Sequence, residues 1–104
     1  MKIDFTFRHM NSSEKLKAHT TEKLERLARF EDREMSVQVT FEKEKHHNHI
    51  QFQVTGNNGP FVSSETRDDM FEAIDLAIDK MDRQLARDKD KRKRHKGLQP
   101  ATPR

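Results

Sequence analysis

The sequence predicts an α+β fold of two layers, with elements in the order β-α-β-β-β-α. Three observations predict it. Ile3, Phe5 and Phe7, then Met35, Val37, Val39 and Phe41, then Ile50, Phe52 and Val54 alternate with polar residues, the period-two pattern of strands with one buried face. Two longer segments, from Leu16 and from Phe71, repeat apolar residues at steps of three and four instead, as amphipathic helices do. Each strand is apolar on one side only, so two helices on one face of a four-stranded, mixed or mostly antiparallel sheet would cover every apolar surface.

Each element follows from its residues. The first strand carries Lys2, Asp4, Thr6 and Arg8 on its wet face. Asn11 with Glu14 three residues later is a capping box that opens helix one. Leu16, Thr20, Leu24, Leu27 and Ala28 trace its inner stripe, and Lys15, His19, Lys23 and Arg26 lie one residue earlier at each step, a basic stripe about 100° round the helix. Between strands two and three, KEKHHNH (residues 43 to 49) is too polar for a core and reads as a hairpin end. GNNGP, residues 56 to 60, has the Asn and Gly suited to positive φ, and turns the chain into a fourth strand over residues 61 to 65.

Thr66 and Asp69 repeat the capping arrangement and open helix two. Phe71, Ile74, Ile78, Met81 and Leu85 form its apolar stripe, widened by Met70 and Ala77, while Lys80, Arg83, Arg87, Lys91 and Arg94 follow at steps of three or four. No apolar residue continues the stripe past Leu85. Helix two is therefore expected to project past the body or fray, with Gly97, Pro100 and Pro103 ending regular structure. This predicts one domain over residues 1–96 and a flexible tail over residues 97–104.

Charge is distributed unevenly. Residues 80 to 104 hold ten Lys/Arg against three Asp/Glu, or +7, within a chain whose total is +3; the other 79 residues are net acidic. Cation concentrated at one end suggests a polyanionic partner. The chain of 104 residues is 31% hydrophobic, enough for one small core. With no cysteine there is neither a disulfide framework nor a thiolate metal site, which fits a reducing compartment. MKIDFTF lacks the apolar centre of a signal peptide and no stretch approaches the roughly 20 apolar residues of a membrane span, so a cytoplasmic protein without membrane contact is expected.

The chemistry-bearing groupings weigh against catalysis. His46, His47 and His49 are metal-ligand types, yet the polar loop holding them offers no Cys and no carboxylate pair at ligand spacing. Asp68 with Asp69, and Asp75 with Asp79, read as helix caps and lysine partners rather than paired catalytic carboxylates. Ser63 and Ser64 read as strand-end residues rather than nucleophiles. No glycine-rich phosphate loop, nucleophile elbow or HExxH pattern is present. What remains is the two basic stripes; with the helices side by side they would form one cationic surface that grips phosphates by counterion release and reads backbone shape rather than base edges.

RDDMFEAIDLAIDKMDRQLARDKDK, residues 67 to 91, resembles the D-M-Y-x-A-I-D-x-x-I-D-K-L-x-R-Q-L-x-K-x-K pattern of the ribosome hibernation factors, the family of hibernation promoting factor and the ribosome-associated inhibitor, also known as the sigma-54 modulation protein family. EKLERL, residues 22 to 27, and Arg8 are similar to that family at weaker motifs, and the resemblance spans about residues 1 to 96. Phe71 stands where the family usually has Tyr, and His19 with Thr20 replace a bulkier pair. The short tail GLQPATPR resembles the short form.

The resemblance implies a fold similar to a double-stranded-RNA-binding domain with an added strand, and a non-enzymatic role. It implies binding to small-subunit rRNA in the mRNA and tRNA channel, silencing translation in stationary phase and promoting inactive ribosome dimers with a second factor. By matching positions it assigns rRNA contacts to Lys80, Arg83, Arg87, Lys89 and Lys91 on helix two and to Lys23 and Arg26 on helix one; Arg92 and Arg94 of the KRKR cluster extend the set. No cofactor, metal or small-molecule substrate is expected. The alternatives are a factor that silences single ribosomes, a duplex-RNA binder free of the ribosome, a sigma-factor modulator acting through protein contacts, and a small metal-dependent enzyme using the histidines.

Overall fold

A computed structural model describes residues 1–56 and 59–98, with side chains described as far as Lys91. The chain runs β1 (Lys2–Arg8), α1 (Glu14–Leu24), a 3-10 segment (Glu25–Phe30), β2 (Ser36–Glu44), β3 (His47–Thr55), β4 (Phe61–Arg67) and α2 (Met70–Leu98). The strands lie in the order β1-β2-β3-β4, with β1 parallel to β2 and the other neighbours antiparallel. This is the mixed four-stranded α+β arrangement expected.

Register follows the apolar alternation, since a slip of one residue would turn each core face to solvent. Ile3, Phe5 and Phe7 lie beside Val37, Val39 and Phe41, which in turn face Val54, Phe52 and Ile50. The Phe7 and Phe41 rings stack at 4.6 Å. Both helices pack on this apolar side, whereas Gln38, Thr40, Gln51 and Gln53 fall on the opposite face by alternation.

Several local expectations are corrected. Helix one is capped by Ser13 rather than Asn11: Ser13 is extended, and its Oγ accepts the Leu16 N–H at 3.2 Å. Asn11, Ser12 and Ser13 are all competent caps, and the need to bury Leu16, Thr20 and Leu24 selects among them. Ala28 is exposed and Phe30 takes its place in the core. The chain tightens after Leu24 into 3-10 geometry, whose three-residue turn aligns Leu24, Leu27 and Phe30.

The histidine segment is the hairpin end expected, and its turn is tight. β2 continues to Glu44 and β3 begins at His47, with Glu44 opposite His47 and Glu42 opposite His49, and the turn residue Lys45 takes φ of 56°. β4 likewise runs two residues further than expected. Thr66 pairs with His49, whose Nδ1 lies 2.8 Å from Thr66 Oγ1, so Thr66 is a strand residue and Asp69 caps α2. The Asp69 carboxylate accepts the Phe71 N–H at 3.0 Å and its carbonyl accepts the Ala73 N–H at 3.1 Å.

Asn57 and Asn58 of the expected turn lie outside the described residues. The flanking Gly56 has φ of +124°, and a Cβ there would lie 2.5 Å from the Glu34 carbonyl, so both backbone and space demand glycine.

Met70, Ala73, Ile74, Ala77, Ile78, Met81 and Leu85 of α2 are buried, each large side chain contributing about 1.5–3 kcal/mol by leaving water. Phe71, expected in that stripe, is half-buried and set edge-on to His19 at 4.9 Å. Leu85 is the last buried residue among the described residues, whereas the helix continues through Gly97 to Leu98. At 1.5 Å per residue that is about 20 Å of helix beyond Leu85. Regular structure thus passes the expected stop at Gly97, and residues 99–104 lie outside the described residues.

Candidate nucleic-acid interface

The long helix presents three kinds of surface around its buried stripe. At about 100° per residue, Asp75, Asp79 and Asp82 fall on the flank toward α1, Lys80 and Gln84 on the flank toward β4, and Arg83 and Arg87 point away from the sheet. Lys91 continues the ridge of Arg83 and Arg87, and all three are exposed.

The acidic flank is occupied by helix one. His19 Nε2 lies 2.9 Å from Asp75 Oδ1. Arg26 donates from Nη1 to Asp79 at 2.7 Å and from Nε to Asp82 at 2.9 Å. Arg29, immediately beyond in the 3-10 segment, reaches Asp82 as well, and its guanidinium carbon sits 4.2 Å from the centre of the Phe30 ring. Burial penalises the Asp82 charge, yet the hydrogen bonds from Arg29 and Arg26 outweigh that penalty and hold its carboxyl below the usual range. The Asp79 hydrogen bond pushes the Arg26 guanidinium further up.

Asp75 and Asp79 thus meet the basic stripe of helix one rather than lysines of their own helix. The two stripes do not merge: the α1 stripe turns inward to clamp α2. Lys23 remains exposed, lining a shallow groove with Arg26, Asp75 and Asp79. Sequence reasoning missed Arg29; the signal available was its three-residue spacing from Arg26, matching the 3-10 turn and facing acids at positions 75, 79 and 82.

The β4 flank is neutralised too. Lys80 Nζ lies 2.6 Å from Glu65 Oε2 and 3.1 Å from the Ser64 carbonyl. That hydrogen bond holds the Glu65 carboxyl below its ordinary value against desolvation, with the Arg67 charge assisting. Ser63 is buried beneath the helix and donates to the Ala77 carbonyl at 2.9 Å, a packing role.

Among the described residues, Arg83, Arg87, Lys89 and Lys91 make no ion pair. Lys89 sits on the α1-side flank beyond the packed part of the helix. The side chains of Arg92 and Arg94 lie outside the described residues. Of the expected set, Arg83, Arg87 and Lys91 therefore form one exposed ridge; Lys89 is exposed on a different flank; Lys23 is exposed near acids; Arg26 and Lys80 are locally paired. Among the described residues, no three His, Cys, Asp or Glu are arranged to hold a metal, and no helix is long and apolar enough to cross a membrane.

The comparisons agree with this architecture. Residues 3–93 match the family described as Sigma 54 modulation protein / S30EA ribosomal protein. The chain is 34% identical over 102 residues to a ribosome hibernation promoting factor of Azotobacter vinelandii, covering 97% of this chain and 95% of that one. It is also 34% identical over 95 residues to the protein of that name from Escherichia coli strain K12, covering 91% of this chain and all of the other. Among solved structures, the N-terminal domain of Thermus thermophilus Protein Y superposes with a TM-score of 0.77 at 25% identity, covering 84% of this chain and 98% of that one. A ribosomal subunit interface protein from Coxiella burnetii shares the fold at a TM-score of 0.75 and 22% identity, covering 86% and 99%. The chain belongs to the Sigma 54 modulation protein / S30EA ribosomal protein family, a family of binding proteins rather than enzymes.

Proposed function

We propose that this protein is a ribosome hibernation factor of the cytoplasm that lays the outer ridge of α2 along small-subunit rRNA in the mRNA and tRNA channel, silencing translation by occupancy. One observation carries this reading: Arg83, Arg87 and Lys91 stand exposed along one ridge of a helix that continues to Leu98. Such a ridge is suited to successive phosphates, displacing condensed counterions at each contact. Relatives that bear the hibernation promoting name over nearly their whole length support the reading.

In this scheme Lys89 and Lys23 add contacts outside the ridge, and Arg92 and Arg94 complete the proposed set of rRNA contacts. Arg26 and Lys80 contribute mainly by holding the helix in place. The silenced ribosomes are joined as dimers with a second factor.

The test is co-sedimentation with ribosomes in a sucrose gradient at increasing salt, with mRNA and initiator tRNA as competitors. The wild-type protein is expected in a salt-sensitive ribosomal peak that the tRNA complex displaces, and R83E/R87E/K91E is expected to lose that peak while keeping its fold. Unchanged co-sedimentation of the variant refutes the ridge as the contact. Absence of the wild-type peak at low salt directs the search to free duplex RNA or to a protein partner such as a sigma factor.

A further inference from the structure

We infer that Lys80 and Gln84 close the free edge of β4 against a further strand, the partner excluded being a second copy of this chain. β4 is an edge strand, paired on one side with β3. In an antiparallel ladder alternate residues turn their N–H and C=O groups away from the partner, and on β4 the outward carbonyls are those of Val62, Ser64 and Thr66.

Each of the three accepts a side-chain donor. Gln84 Nε2 donates to the Val62 carbonyl at 2.7 Å, Lys80 Nζ to that of Ser64 at 3.1 Å, and Arg67 Nη1 to that of Thr66 at 2.8 Å. Two of these donors come from α2, one helical turn apart, so packing of the helix is what delivers them. Glu65 fixes Lys80 in position at 2.6 Å. An open edge with a row of unpaired groups recruits strands, and β4 also carries Val62, the large hydrophobic that stands exposed among the described residues. The opposite edge, β1, is guarded differently, by the alternating charges of Lys2, Asp4 and Arg8.

The test is sedimentation equilibrium of K80A/Q84A over rising protein concentration, with circular dichroism to establish that it is folded. Its mass is expected to climb toward twice that of the wild-type protein. Adding V62K, which places a charge on the edge, is expected to reverse the climb. A folded K80A/Q84A variant that keeps the wild-type mass overturns the inference, and so does association that V62K leaves intact. Should the double variant fail to fold, Gln84→Ala alone, which spares the Lys80–Glu65 pair, carries the same test: association at high concentration is expected, and its absence overturns the inference.

Discussion

Arg29 holds Asp82 with one nitrogen against both carboxylate oxygens, Nη2 lying 2.7 Å from Oδ1 and 2.9 Å from Oδ2. The contact joins the 3-10 segment to α2 across 53 residues of sequence. The Asp82 side chain is 10% exposed and that of Arg29 59%, so the acid is the member that depends on the pair. Replacing Asp82 with Ala leaves Arg26 with Asp79 alone and Arg29 without this partner. The expected loss is about 1–3 kcal/mol of folding stability, read as a lower urea midpoint at unchanged slope. Arg29→Ala is expected to lose less, because Arg26 still satisfies Asp82.

Acid sensitivity follows from the same groups. Asp82, Glu65 and Glu31 all have folded-state carboxyls held below their ordinary values, Glu31 chiefly through the Met35 N–H it accepts at 2.8 Å. A depressed carboxyl contributes stability that is complete above the unfolded carboxylate range, about pH 4, and is lost as pH falls through the folded value. Stability is thus expected to decline on the acid side, and Asp82→Asn to flatten that decline. Equilibrium unfolding from pH 7 down to about pH 3 measures both; equal acid slopes in the two proteins would refute the assignment.

Thr20 offers a gain. It is fully buried, and its Oγ1 has no hydrogen-bond partner among the described residues. Thr20→Val keeps the shape and removes the unsatisfied hydroxyl, so a gain of about 1 kcal/mol is expected in thermal or urea unfolding. Destabilisation by that substitution would show that the hydroxyl is satisfied in solution.

The paired and unpaired cations should separate in salt titrations of ribosome binding. Removing a side chain that neutralises one phosphate lowers the slope of log affinity against log salt by about 0.7–0.9. Arg83→Ala and Arg87→Ala are expected to lower it by about that much with stability unchanged. Arg26→Ala and Lys80→Ala are expected to lower it less while reducing stability, since their charges already face Asp79, Asp82 and Glu65. Equal reductions in slope at all four positions would contradict this division.

The element order, the buried face of each of the first three strands and the identity of α2 were legible in the sequence, because alternation at Val37, Val39 and Phe41 or the spacing of Ile74, Ile78 and Met81 reports local geometry directly. The cap at Ser13 and the 3-10 turn that buries Phe30 were less legible, since neighbouring residues were equally competent and only burial against the sheet chose between them. The basic end of the chain was also plain from composition alone.

Which of the chain's cations meet an acid was decided by tertiary structure. Arg26, Arg29 and Lys80 look as available in the sequence as Arg83 and Arg87. Side-by-side packing of the helices and the covering of β4 bring Asp79, Asp82 and Glu65 within ion-pair distance of the first three and leave the outer ridge unmatched. Coulomb attraction falls with distance and is screened by water, so a charge's partner is set by the fold's three-dimensional neighbours rather than by the residues beside it in the chain.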